Sequence, residues 1–364
     1  MSKTSANHNY GLILAGGRGT RFWPRSRRAK AKQVLPFFSE RSLIQETVDR
    51  LRPVLPPDRI WIITNDHLRT EIIKQLPEIP KHQIIAEPAA RNTAPCIGLA
   101  AQILESIDKD AVMGVFPADH VIQKPARYLR MIKPAFKAAS QGKIAVVGIQ
   151  PRWAETGYGY IEFPKDIAPG STIPAPVLAF KEKPDAPTAE TYLAAGNYFW
   201  NSGMFFWKAS VVLDALRQHL PKTASLLAGL PKISQRGFLK ALGEVFPHCE
   251  NISIDYAVLE KAKDVVGLPA DNIGWNDVGS FNAAYELSAL DHHRHANNRT
   301  PVLSLDSTGS YVDSHSGKLI ALLGVKDLVV VETDDAILIA DRHRSQQVGD
   351  LVKMLEKQGR HDLI

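Results

Sequence analysis

Residues 10–27 read YGLILAGGRGTRFWPRSR. The opening run Tyr10–Ala15 has no charged interruption, as expected of a strand buried on both faces, and it passes directly into the turn Gly16-Gly17-Arg18-Gly19-Thr20-Arg21. Two adjacent glycines and a third two residues on permit positive φ and close backbone approach, so successive N–H groups can converge on one anion. A tight turn can need glycine for geometry alone. Here, however, Arg18, Arg21, Arg25, Arg27, Arg28, Lys30 and Lys32 crowd into fifteen residues, and Arg21 and Lys32 bring formal charge to the turn itself. That density suits a small polyanion better than a duplex. The Gly-x4-Gly-Lys-Ser/Thr pattern is absent, and Phe22 stands where a dinucleotide fold needs its third small residue. A P-loop ATPase and a dehydrogenase are both set aside.

Working outward, Ser42 and Gln45 have capping-box spacing and predict a helix over Leu43–Leu51. Strands follow at Ile60–Thr64, Gln83–Ala86, Val112–Phe116 and Ile144–Gly148. Between them the spacing predicts helices from about His67, over Ala94–Ile107 and over Ala126–Ala139. Strand alternating with helix predicts an α/β fold, a wound parallel sheet covered on both faces. Past Pro151 the rhythm loosens, with strands expected at Val177–Lys181 and Met204–Trp207. Tyr285–Arg299 turns polar and is read as a domain junction. Within it His292, His293 and His295 are read as solvated linker rather than a metal cluster. Beyond it, short β-branched strands broken by Gly and Asp turns suit a parallel β-helix or a small sandwich, closed by a helix over Ser345–Lys357. Such strands need a further surface to bury both faces, so dimerisation through this region is expected.

A chain of 364 residues allows about two domains of roughly 150 residues each. Its 45% hydrophobic and 23% charged content excludes disorder, collagen and coiled coil as descriptions of the whole. The net charge of +6 is spread widely outside the arginine-rich turn, so no nucleic-acid partner is expected. No apolar run approaches bilayer length, and MSKTSANHNYGLILAGG lacks the layout of a signal peptide, so no membrane partner is expected either. Cys96 and Cys249 are far apart without metal-ligand spacing, which makes the reducing cytoplasm the expected compartment.

The segment Gly16–Arg27 with Lys32-Gln33 resembles the signature of the sugar-nucleotide pyrophosphorylase family. Its Trp23-Pro24-Arg25-Ser26-Arg27 continuation resembles the mannose-1-phosphate guanylyltransferases within it. The resemblance continues through Glu87-Pro88, Arg91-Asn92-Thr93-Ala94-Pro95, Pro117-Ala118-Asp119-His120 and Gly157-Tyr158-Gly159-Tyr160-Ile161. It then runs through Phe180–Pro184, Trp200–Phe205 and Trp275–Ser280, nearly the whole chain in order. Ala31 departs from it, since the family usually has proline before Lys-Gln; that leaves the approach of Lys32 to phosphate to be settled. The resemblance implies a Rossmann-like nucleotidyltransferase domain with a mixed, mainly parallel sheet over residues 1–288. It also implies a small β-rich, left-handed β-helix-like domain over 289–364. The implied reaction converts GTP and α-D-mannose 1-phosphate to GDP-mannose and pyrophosphate with Mg2+, as a single activity.

Two anions must meet in that reaction, and each like-charge contact at about 4 Å costs roughly 4 kcal/mol at an effective dielectric near 20. Positioning and charge neutralisation therefore matter more than a protein nucleophile. Asp119 ends an apolar strand, at the edge of a parallel sheet where ligands bind. Alone, Asp119 or Asp277 is an ordinary turn or cap residue; as the pair matching the family, they imply the metal ligands. Arg21 and Lys32 are implied phosphate ligands and complete the catalytic set. Leu14, Ala15, Gly16, Gly17, Gly19, Thr20, Glu87, Asn92, Thr93 and Pro95 are implied to surround the nucleotide. Gly159, Tyr160, Glu182, Lys183 and Asn201 are implied to hold the sugar phosphate. By pattern alone Lys181–Lys183 is a solvated strand edge, and Asn201 serves a sugar hydroxyl or a backbone carbonyl equally well. Asp255 is read as an N-cap, and Trp23 and Trp61 as packing residues. The rivals are a catalytically silent GDP-mannose-sensing subunit and a same-fold enzyme for another sugar phosphate or nucleotide.

Overall fold

Residues 7–297 and 300–364 are described by the computed structural model. The first six residues, read above as part of a non-signal N-terminus, and Asn298 and Arg299 of the junction lie outside them. Helices begin where the sequence supplies caps. Helix α1 (Leu43–Leu51) starts with the Gln45 Oε1 accepting from Ser42 N at 3.0 Å. Helix α2 (Asp66–Gln75) starts at Asn65, which accepts from Leu68 N. Helices α3 (Thr93–Ile107) and α4 (Pro125–Ser140) complete the first half.

Strands β1 (Asn9–Leu14), β2 (Ile60–Asn65), β3 (Ile84–Glu87), β4 (Val112–Pro117), β5 (Ile144–Ile149), β6 (Tyr198–Lys208) and β7 (Val265–Ala270) form one sheet. Its order is β3-β2-β1-β4-β6-β5-β7, with Ala175–Pro176 on the outer edge. Alternate residues of each strand serve opposite layers. Leu12, Met113 and Val146 pack toward α3, while Ile13, Phe116 and Val147 pack toward α1, α2 and α4. The pairs β1/β2, β1/β4, β2/β3 and β5/β7 are parallel. The wound parallel sheet predicted from alternation needs one correction. Strand β6 runs antiparallel between β4 and β5, and at eleven residues it is much longer than the expected Met204–Trp207. Its apolar run marks it as central, but burial carries no information about direction. The register of β6 against β5 shifts between Asn201 and Phe205, a bulge that interrupts the ladder between those two residues. The expected strand Val177–Lys181 is likewise two pieces, Ala175–Pro176 and Ala179–Lys181.

The C-terminal strands resolve the choice between coil and sandwich. Val302–Leu305 pairs in parallel with Ile320–Leu323, and Tyr311–Ser314 in parallel with Leu328–Glu332, both at a constant offset of eighteen residues. A fixed parallel offset is one turn of a β-helix. Ile337–Asp341 ends it by pairing antiparallel with Leu328–Glu332, and the terminal helix spans Val348–Lys357. Val312, Leu322 and Val330 give the coil a small core of its own, but its larger cluster is shared with the catalytic half. Phe22, Trp23, Leu35 and Phe37 pack in one cluster with Phe281, Tyr311, Val329, Leu338 and Val352. Trp23 Nε1 donates to the Leu363 carbonyl at 2.7 Å, and Trp61 lies buried in the main sheet. The histidine-rich junction also needs correction at one position. His295 is fully buried, its ring bonded to Ser304 Oγ and accepting from Ser310 N, so it is part of the coil's packing. No helix of the described residues is long and apolar enough to cross a membrane.

Candidate active site

The carboxyl ends of β1, β3 and β4 open onto a cavity of about 500 Å³. Its wall includes Leu14, Ala15, Gly16 and Gly17 from the first turn and Glu87, Asn92 and Thr93 around the start of α3. Asp119 after β4 joins them, with Gly159, Glu182, Asn201 and Asp277 from the second half. The glycine turn is shaped by Gln33, whose Nε2 donates to the carbonyls of Ala15 at 2.8 Å and Gly17 at 2.9 Å. With its carbonyls so engaged, the N–H groups of Gly16 to Gly19 meet no acceptor among the described residues. Gly19 has φ 62°, and a Cβ there would lie 2.9 Å from Lys32 N and Ser26 Oγ, so glycine is required.

Lys32 is buried, and its ammonium gathers three acceptors: Asp119 Oδ2 at 2.7 Å, the Asp277 carbonyl at 2.9 Å and the Val278 carbonyl at 3.0 Å. Ala31 in place of proline therefore does not loosen it. The 3-10 turn Lys32–Val34 is entered with Ala31 at φ −70°, the angle proline would impose. Burial pulls the Asp119 carboxyl up, but Lys32 and His120 outweigh it and hold the group below the usual carboxylate range. Tyr158 donates to Asp277 Oδ1 at 2.6 Å, and burial first, then the Asp277 charge, keeps its hydroxyl protonated. Trp275 Nε1, which can only donate, is 3.1 Å from His120 Nδ1; that nitrogen is therefore the acceptor of a neutral ring.

A second cleft of about 390 Å³ shares Gly17 and Asp119 with the first. It is lined by Arg18, Gly19, Thr20, Arg21 and Lys32, and on its far side by Gly349, Lys353 and Glu356 of the terminal helix. Arg21 donates to Gln346 Oε1 at 2.7 Å, and Arg18 pairs with Glu356 at 2.5 Å. The arginine-rich segment is thus divided. Arg18, Arg21 and Lys32 line this cleft, whereas Arg25 and Arg27 reach Asp313 and Asp335 of the coil.

At the opposite end, a Cβ on Gly159 would collide with the Glu182 carboxylate, so glycine permits that approach. Asn201 N donates to the Gly159 carbonyl at 2.7 Å, and the Asn201 amide is held by groups other than the backbone carbonyl expected as one alternative. Its Nδ2 donates to Asp255 Oδ1 at 2.9 Å, and its oxygen accepts from Gly203 N. Asp255 is not an N-cap: it opens the π-turn Asp255–Leu259 and lines the cavity. Lys183 pairs with Glu182 at 2.7 Å just outside the cavity wall. Gly19, Thr20 and Arg21 line the second cleft instead, and besides Lys183 two further implied ligands line neither cavity. Tyr160 is fully buried, its hydroxyl bonded to Glu155 and Trp200. Pro95 is buried in the first turn of α3, where a missing N–H costs nothing.

Gln33, Tyr158 and His120 lay within quoted motifs without assigned roles, and only their partners expose what they do. Asp255 carried no local signal, because its partner is fifty-four residues away. Among the described residues no group of three or more His, Cys, Asp and Glu side chains could hold a metal ion. The Asp119 and Asp277 carboxylates, both of residues at the cavity wall, suit a hard cation that keeps waters and substrate phosphate oxygens as its other ligands.

A family profile described as nucleotidyl transferase matches residues 10–294, and one for the mannose-phosphate isomerase/GMP-like β-helix domain matches 301–355. The chain is 39% identical over 355 residues to the xanthan biosynthesis protein XanB of Xanthomonas campestris, covering 96% of this chain and 74% of that one. It is 40% identical to the mannose-1-phosphate guanylyltransferase ManC of Salmonella typhimurium, over 97% of this chain and 74% of the relative. A crystal structure from Thermus thermophilus described as a mannose-1-phosphate geranyltransferase superposes with a TM-score of 0.83 at 30% identity, covering 96% of this chain and all of the other. With the glycine turn and the β-helix in place, the chain belongs to the mannose-1-phosphate guanylyltransferase family of nucleotidyl transferases.

Proposed function

We propose that the protein transfers the guanylyl group of GTP to α-D-mannose 1-phosphate. An oxygen of the sugar phosphate attacks the α-phosphorus, the bond to the bridging oxygen of the β-phosphate breaks, and GDP-mannose and pyrophosphate result. The observation that carries this reading is the joining of two cavities at Gly17 and Asp119. One is walled by carboxylates and an amide suited to a sugar, the other by Arg18, Arg21 and Lys32 suited to a departing pyrophosphate. Free N–H groups of the glycine turn would hold the phosphates in line. Asp119 and Asp277 would hold Mg2+, which supplies charge neutralisation at the phosphates when bound. Tyr158 keeps the Asp277 carboxylate oriented, and His120 stays neutral beside Asp119. Turnover measured across nucleotides and sugar 1-phosphates tests the proposal; a preference for UTP with glucose 1-phosphate overturns it.

We assign Glu87, at the cavity wall, to guanine, whose N1–H and N2–H groups both donate. Burial pushes its carboxyl up to about 7. The raised value means that the acceptor anion is lost as pH falls through neutrality. The KM for GTP should therefore rise as pH falls from about 8 to about 6, while Glu87→Gln shows a flat profile and a KM about tenfold higher. An unaltered pH profile in the variant removes Glu87 from base recognition.

Our reading divides the chain into a catalytic domain over 1–288 and a coil over 289–364, and makes the enzyme a homodimer. Leu303, Leu305 and Leu323 are exposed side by side on the coil, with Leu305 registered opposite Leu323. Light scattering should give twice the chain mass, falling to one chain in Leu305→Glu/Leu323→Glu. Both cysteines are free and buried, and with a nucleoside triphosphate as substrate the cytoplasm is the compartment we propose.

A further inference from the structure

Arg18, Arg21 and Arg28 of the arginine-rich segment take acceptors from one distant element. Arg18 pairs with Glu356 Oε1 at 2.5 Å, Arg28 approaches the same oxygen at 3.5 Å, and Arg21 donates to Gln346 Oε1 at 2.7 Å. Gln346 precedes the terminal helix Val348–Lys357, and Glu356 lies in its last turn. Packing, not these charges, fixes the helix against the glycine turn. Val348 and Val352 are buried in the cluster that holds Phe22 and Trp23, and a Cβ on Gly349 would lie 3.5 Å from Thr20 Oγ1. Gly349, Val352, Lys353 and Glu356 follow helical spacing, so one face of the helix forms the outer wall of the second cleft.

That wall carries a carboxylate where a polyanion is to bind. The Arg18 and Arg28 guanidiniums hold the Glu356 carboxyl below the usual carboxylate range, so it is ionised at neutral pH. A pyrophosphate in the cleft meets this charge and contends with it for Arg18. Both side chains stay partly open to solvent, and ion pairs of that kind are weak. The pair can therefore yield to a ligand of several charges and re-form as the ligand leaves. Without a rival acceptor, Arg18, Arg21, Lys32 and the N–H groups of the turn would retain a product that has to depart.

We infer that Glu356 of the terminal helix competes with pyrophosphate for Arg18, which makes the coil part of the leaving-group site and Glu356 the residue that sets how tightly that product is held. This inference rests on the guanylyl transfer reading above and goes beyond it by giving the coil a role in turnover.

The test uses the full-length enzyme at fixed magnesium and salt, comparing wild type with Glu356→Gln. Asp362→Asn is the control, removing a negative charge from the same terminus outside the cleft. In calorimetry pyrophosphate should bind Glu356→Gln about threefold to fivefold more tightly than wild type, the range open to an exposed pair. Pyrophosphate should also inhibit that variant against GTP at a correspondingly lower concentration. GDP-mannose should bind both proteins equally, because its phosphates stop short of the leaving-group cleft. In an Arg18→Met background the Glu356→Gln change should alter pyrophosphate affinity by less than about twofold. Four results overturn the assignment: unchanged or weaker pyrophosphate binding in Glu356→Gln, an equal gain in Asp362→Asn, an equal gain for GDP-mannose, or a gain that survives intact without Arg18. A wild-type enzyme in which pyrophosphate does not compete with GTP instead overturns the leaving-group reading, and this inference falls with it.

Discussion

Asp119→Asn should lower kcat by about three orders of magnitude, equivalent to roughly 4 kcal/mol of transition-state stabilisation, while the protein still melts cooperatively. The substitution keeps the shape of the side chain and removes its charge, at a position shared by both cavities and 2.7 Å from the Lys32 ammonium. The amide can still accept from Lys32, so the scaffold survives, but a carboxylate is the better ligand for a divalent ion. Pyrophosphate release assayed with saturating substrates, beside a thermal melt, separates the two effects. Undiminished turnover would remove Asp119 from the mechanism.

Lys32→Met should damage both chemistry and stability. Its ammonium ties Asp119 to the carbonyls of Asp277 and Val278, so it fixes the spacing of the two proposed metal ligands as well as adding charge beside the phosphates. Removing one partner of a buried ion pair strands the other, and we expect a loss of about 3 kcal/mol in urea unfolding, with kcat down about a hundredfold or more. The pH dependence supplies a sharper signature. In the wild type the Asp119 carboxyl is held below its unfolded value, so the stability it contributes is present near neutrality and is lost as pH falls through the folded pKa. Without Lys32 the effect of burial prevails and favours the protonated acid. The stability gap between the two proteins should therefore be widest near pH 7 and narrow toward pH 4. A gap independent of pH would show that Lys32 acts through packing alone.

The first half of the sheet was legible because each element carries a local mark. Ser42 with Gln45 and the apolar runs before Gly16 and Pro117 define their elements without help from distant residues. Strand β6 shows where such marks stop. The run Tyr198–Lys208 announces burial, but its antiparallel course depends on β4 and β5, and the bulge at Asn201 arises only when those ladders form. The site divides along the same line. Glu87, Asn92, Asp119, Glu182 and Asp277 stand in recognisable motifs and do meet at one cavity. Asp255, the Tyr158–Asp277 bond and the three-way grip of Lys32 are contacts between residues far apart in sequence. Pro95 shows the reverse case, since membership of a motif did not place its side chain at the wall.

The packing of Phe22 and Trp23 against Tyr311, Val329 and Val352 makes the coil and the glycine turn thermodynamic neighbours. Free energy spent ordering one is shared with the other, so a nucleotide gripping the turn must also raise the resistance of the coil to proteolysis. The same linkage limits modular exchange: a catalytic half grafted onto a foreign coil would inherit a bare aromatic patch beside its own phosphate-binding turn.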